Sequence, residues 1–121
     1  MKKLAYSLLF AAVVAGTFGV AAKADTSPNN PSVNYWASIS INGSTAKAIT
    51  STSHAVDKVY TTIESSAQYN GNTQTNSTSA TVTVPVGATK VAWSGHTVTD
   101  HVFGNWTRGL KLDNGVLSTR W

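Results

Sequence analysis

Alternation of apolar and polar side chains is the dominant signal along this chain, and it begins at Val33. Val33, Tyr35, Ala37, Ile39 and Ile41 fall on one face of an extended segment, with Trp36, Ser38 and Ser40 on the other. Tyr35 and Trp36 therefore point opposite ways, and one of the two rings is expected to be partly exposed. Asn42-Gly43 reads as a type I′ turn, which needs positive φ at both central positions. Ala46 and Ala48 on the returning strand then come opposite Ile39 and Ala37.

A longer hairpin is expected next, with strands over residues 56–69 and 72–86 joined by Asn70-Gly71. That register sets Val59 against Val82, Thr61 against Ala80 and Ile63 against Thr78. One face collects Val59, Ile63, Ala67, Ala80, Val82, Val84 and Val86. Gln74 and Asn76 lie in a stretch polar on both faces, so the tip should project into water. Pro85 has no N–H for a ladder and suits an edge or a strand end. Two further strands are expected over residues 90–94 and 97–103, divided by Gly95. A last hairpin turns at Asn114-Gly115 and runs through residues 116–121, with Trp121 in the strand. Three Asn-Gly turns between alternating runs predict an all-β domain, a small antiparallel β-sandwich or meander, with a small barrel as the other closed form.

Composition supports that class and divides the chain. Lys2 and Lys3 followed by a mostly apolar stretch and Ala22-Lys23-Ala24 read as a bacterial export leader over residues 1–24. Gly16 and Gly19 break the stretch, which is short for a membrane anchor. Cleavage is expected between Ala24 and Asp25. Residues 25–32, with two prolines and three Asn or Asp residues, read as a flexible mature N-terminus, and residues 33–121 as a single β domain. Ser, Thr, Asn and Gln fill 40 of the 97 residues after the leader and Leu only three, a strand-favouring, helix-poor mixture. With no cysteine the domain has no disulfides and must rest on its core and its ladders.

Charge narrows the partners. The whole chain carries a formal +4, but without residues 1–24 six basic residues face five acidic ones. Such a surface lacks the footprint expected for nucleic acid, and no basic amphipathic helix is present for bilayer insertion. No zinc site is expected, because His54, His96 and His101 do not converge in sequence and thiolates are lacking. No cofactor is implied. Trp93-Ser94-Gly95 lacks the glycine that begins a nucleophile elbow, and Asp57, Glu64, Asp100 and Asp113 form no recognisable glycosidase pair. The chain is therefore read as a non-enzyme, although a triad assembled from distant strands would escape this test.

The candidate binding residues are Trp106, Arg108, Lys111 and Trp36. Trp106 and Arg108 share a face of one strand, where an indole could stack on a ligand while a guanidinium holds a phosphate, and Lys111 follows nearby. Trp36 stands on the polar side of its strand. The bland reading makes Trp106 core and Arg108 its solvated flank.

Two segments resemble a known family. Ser65-Ser66-Ala67, at its distance from Ser79-Ala80-Thr81-Val82, and the downstream Gly104-Asn105-Trp106-Thr107-Arg108 are similar to the lactococcin 972 family of bacteriocins, whose chains also end on an aromatic residue. The resemblance spans residues 65–121. It departs in the N-terminal part, where residues 25–49 replace a glycine-rich, Trp-containing segment, and in a longer connection from Val82 to Trp106. It implies an exported, cysteine-free β-sandwich that inhibits related bacteria by binding the cell-wall precursor lipid II during septum formation. The expected function is thus a secreted, bacteriocin-like antibacterial protein acting on the envelope through a surface or cell-wall precursor molecule. The alternative is a secreted surface or matrix module that binds glycan or a protein partner without killing.

Overall fold

The computed structural model describes residues 20–85 and 90–120. The leader reading over residues 1–19, the inward place of Val86 and the strand position of Trp121 fall outside the described residues. Nine strands and no helix form among the described residues: β1 Val20–Thr26, β2 Asn34–Asn42, β3 Thr45–Thr52, β4 Lys58–Glu64, β5 Tyr69–Gln74, β6 Thr78–Thr83, β7 Val91–Thr99, β8 Trp106–Asp113 and β9 Val116–Thr119. They make two antiparallel sheets, ordered β1-β2-β3-β6 and β5-β4-β7-β8-β9, which pack as a β-sandwich. The expected all-β class is therefore present.

The core is what the alternation selects. Tyr35, Ala37, Ile39 and Ile41 from β2 and Ala46 and Ala48 from β3 meet Val59, Ile63, Val98, Leu110 and Leu112 from the facing sheet, all within one cluster. Ala80, Val82 and Val84 join them from β6 and its end.

The three Asn-Gly pairs behave differently. Asn114 and Gly115 both have positive φ, 50° and 85°, and Asp113 pairs with Val116, so this hairpin has the type I′ form. At the first hairpin Gly43 alone is positive, at 62°, and Asn42 pairs with Thr45. The turn residues are thus Gly43-Ser44, in the type II′ pattern, and Ile41 and Ile39 face Ala46 and Ala48. That register lies two residues from the expected one, so each side chain keeps its face.

Asn70-Gly71 is no turn at all. Both residues lie within β5, opposite Ile63 and Thr62, and Gly71 has no positive φ. The reversal falls earlier, where Ser65 N–H donates to the Gln68 carbonyl at 2.9 Å and Ser65 Oγ accepts from the N–H groups of Ala67 and Gln68 at 3.2 Å. A serine able to bind its own following backbone favours such a turn. The expected pairing of Val59 with Val82 is replaced by Val59 with Gln74, while β6 crosses to the other sheet and pairs with β3. Residues 90–103 also differ: β7 runs unbroken through Gly95, alternating between buried and half-buried positions from Val91 to Thr99.

Residues 25–32, expected to be flexible, are hydrogen-bonded. Asp25 and Thr26 complete β1, Ser27 N–H donates to the Val33 carbonyl at 2.8 Å, and Asn29 N–H donates to the Phe103 carbonyl at 3.1 Å. Ser27 and Asn30 close a local turn, with Ser27 Oγ donating to the Asn30 carbonyl. Proline content removed donors here without removing these partners.

Candidate functional site

The structure brings Trp106 and Arg108 together and gives both to an internal partner. Trp106, only 8 % exposed, lies on the inner face of β8 with its ring centroid 5.7 Å from that of Tyr35. Its indole N–H donates to Asp25 Oδ2 at 2.9 Å, and Arg108 Nη2 pairs with the same oxygen at 2.8 Å. The guanidinium carbon stands 5.7 Å from the Trp106 ring centroid, a cation–π contact. One carboxylate thus satisfies a buried donor and balances the cation beside it. An external phosphate would share the Arg108 guanidinium with Asp25.

Lys111 does not join them. It lies one strand position out of phase with Arg108, on the other face of β8, 3.8 Å from Asp113. Trp36 is on the outer face of β2 and is 4 % exposed, while Tyr35 on the inner face is fully buried. The expectation that one of these two rings is exposed fails, because both faces of β2 are closed at that point. The four residues do not converge.

A polar seam crosses the core instead. His96 on β7 is fully buried between the sheets. Its Nδ1 lies 2.8 Å from Thr50 Oγ1 on β3, and its Nε2 lies 2.7 Å from Ser94 Oγ. Thr50 Oγ1 is 2.6 Å from Thr61 Oγ1, which donates to the Thr78 carbonyl at 3.3 Å. One proton arrangement satisfies the whole chain. His96 Nδ1–H donates to Thr50, Thr50 to Thr61, Thr61 to the Thr78 carbonyl, and Ser94 donates to Nε2. Burial drives the His96 pKa down to about 3, so the ring is neutral across the physiological range. The Ser94–His96 pair has the spacing of a nucleophile and its base, but a threonine stands where an acid would orient the ring. Ser94, His96 and Thr50 are all fully buried, so no substrate reaches them. The seam ties one sheet to the other.

Asp57, Asp100 and His101 bring ligand atoms within 4.8 Å of one another where β7 leaves the sheet. Three of their carboxylate oxygens already hold hydrogen bonds. Asp100 receives the N–H groups of Asp57, Val102 and Phe103 at 2.9, 3.0 and 2.7 Å, and these bonds hold its pKa below the usual carboxylate value. Asp57 Oδ2 accepts from His101 N–H at 2.8 Å and lies 2.7 Å from its Nδ1, a contact that raises the His101 pKa. This cluster is a clamp on the loop after β7.

One concave feature among the described residues was not foreseen. A groove of about 310 Å³ lies where β3, β5 and β6 meet, lined by Lys47, Ile49, Asn72, Gln74, Ser77, Thr78 and Ser79. Lys47 and Ile49 point outward from β3, and Ile49 pairs with Ser79 of β6. Every residue of β5 is exposed. Asn72 Nδ2 reaches across to the Ser79 carbonyl at 3.4 Å, fixing the groove wall. One cation, two side-chain amides and three hydroxyl-bearing residues surround the aliphatic side chain of Ile49. That set suits a ligand rich in hydroxyl and amide groups that carries an anion. It was missed because it depends on β6 crossing between sheets; the polar, β-rich run over residues 69–79 was its only local signal. Compared with known proteins, the chain matches no family model, no curated sequence and no solved structure.

Proposed function

We propose that this chain is an exported, bacteriocin-like protein, cut between Ala24 and Asp25, that acts on the envelope of related bacteria by binding a surface or cell-wall precursor molecule. The groove at Lys47 is the observation that carries this reading. Its amides, hydroxyls and single ammonium match an amidated, phosphorylated saccharide better than a purely apolar or purely anionic target. Export is supported by the leader pattern. None of the described residues forms a helix long and apolar enough to cross a membrane, and the reading invokes no insertion.

Growth inhibition tests it. Protein recovered from the medium should inhibit Gram-positive strains related to its source, and Lys47→Ala with Asn72→Ala should reduce inhibition at least about tenfold while leaving thermal melting near the parent. Binding to cell-wall fragments without inhibition would favour the non-lethal surface module. Neither binding nor inhibition would remove both.

A further inference from the structure

The strand that closes the first sheet on the side of β1 straddles the expected cut. Val20 to Ala24 pair with Ser40 to Trp36, whereas Asp25 and Thr26 pair with Tyr35 and Asn34. Cleavage after Ala24 removes five of the seven residues of β1 and leaves the two that cover the beginning of β2. Those two stay anchored, since Asp25 holds Trp106 and Arg108 and Ser27 N–H bonds the Val33 carbonyl.

The row that opens can be named. In an antiparallel ladder successive residues turn their N–H and C=O groups to alternate sides. Val33 offers its carbonyl to the β1 side and Asn34 offers its own to Ser53 on the β3 side. Odd-numbered residues of β2 therefore face the edge. Removing Val20 to Ala24 strips the partners from Ala37 and Ile39, and Ile41 continues that row. The exposed edge would contain no charge, no proline and no glycine from Asn34 to Asn42, so its residues offer no guard against strand addition.

We infer that maturation uncovers this edge of β2 for a second copy of the mature protein, which pairs with it antiparallel about a two-fold axis at Ile39. The inference rests on the processing reading above. Its register follows from the page. Ile39 faces its counterpart and Ala37 faces the second copy's Ile41, which supplies about six backbone hydrogen bonds from the uncovered row. Apolar residues stay on the inner face, while Ser38 meets the second copy's Ser40 on the outer face. The second copy's Asn42 reaches the level of Trp36, the last position vacated, and its chain then turns at Gly43-Ser44 toward its own β3, so the retained Asp25 keeps its place opposite Tyr35. A pairing across one edge with two-fold symmetry closes as a dimer and does not propagate into a fibre. Before export, residues 20–24 occupy the same edge and block it.

The test uses protein exported from cells expressing the full chain. Intact mass reads the first residue, and sedimentation velocity with residue-resolved amide exchange reads the pairing. The expected result is a chain beginning at Asp25 with about twice the monomer mass at high concentration. On dilution to monomer, the Ala37, Ile39 and Ile41 amides should lose protection together. Ser38→Lys with Ser40→Lys sets like charges opposite each other and should abolish the dimer, as should Ser38→Glu with Ser40→Glu. Mixing the two variants should restore it, which a mere folding defect would not permit. A chain beginning at Asp25 that stays monomeric, with those amides unprotected at every concentration, overturns the pairing alone. A chain that keeps residues 20–24 overturns the processing reading and the inference with it.

Discussion

The two long sides of the sandwich are closed by different means. On the β5 and β6 side, amide and hydroxyl side chains do the work. Asn70 Nδ2 donates to the Thr81 carbonyl at 3.1 Å, Ser65 Oγ donates to the Thr83 carbonyl at 2.7 Å, and Gln68 Oε1 accepts from Thr83 N–H at 2.8 Å. On the opposite side of the first sheet the closing element is a backbone strand, Val20–Thr26, laid along β2. Side-chain caps belong permanently to the folded domain and leave a hydrated groove beside them. A strand cap that crosses an expected cleavage site is removable. Under the two proposals above, the first edge is sealed for recognition and the second is held ready for pairing.

The largest effect is expected midway between the sides, at the seam joining the sheets. His96→Leu removes the ring that serves Thr50 and Ser94 and leaves two buried hydroxyls short of partners, at a cost of roughly 2–4 kcal/mol in chemical denaturation. Both sides should loosen together in amide exchange; loss confined to one side would argue against a shared seam. The same residue sets the acid response. Its folded pKa of about 3 lies below the ordinary 6.5, so below pH 6.5 the unfolded chain binds a proton that the native state refuses. Stability should therefore fall on acidification, by roughly 2 kcal/mol at pH 5 relative to neutrality. His96→Leu should flatten that slope. The lowered pKa of Asp100 acts in the same direction at still lower pH. His101, whose pKa is raised by Asp57, acts the other way: its contribution is present below its unfolded value and fades as pH rises through the folded one.

Asp25→Ala should rank next, at about 1–3 kcal/mol, because it strands the Trp106 indole N–H and leaves Arg108 uncompensated. Exchange should rise at residues 26–29 and little on the β5 side. Asn70→Ala should cost only about 0.5–1 kcal/mol, since water can replace its bond to an exposed carbonyl. An equal cost for the two substitutions would erase the proposed contrast between the sides. Smallest of all is Gly71→Ala, expected within about 0.5 kcal/mol. Gly71 sits in an extended exposed strand, and an added Cβ meets the flexible Tyr60 hydroxyl at 3.1 Å. A loss of several kcal/mol would restore the turn at Asn70-Gly71.

These residues also show what the sequence could carry. Two-residue periodicity identified the inward faces of β2, β3, β4 and β6 correctly, because alternation fixes the face whatever the partner strand; Ala67, expected inward, lies exposed in the turn after β4. The Asn114-Gly115 hairpin was legible since its closing pair and both positive φ values are local. The partner of β6 was not. Thr78, Ala80 and Val82 alternate in the same way whether they face Val59 on one sheet or Ala48 on the other, and only tertiary packing chooses. The nearness of Trp106 to Arg108 followed from their spacing, but their partner Asp25 lies 81 residues before the tryptophan. No local pattern announces a contact so distant, and it turned an expected ligand site into an anchor.

The proposed function places recognition of an envelope molecule on the side-chain-capped side. Amide exchange on the exported protein, with and without soluble cell-wall precursor fragments, tests it most directly. Added protection is expected over residues 72–79 and at Lys47 and Ile49, with no change around Trp106 and Arg108. Unchanged exchange over the groove, or new protection centred on Arg108, would contradict it.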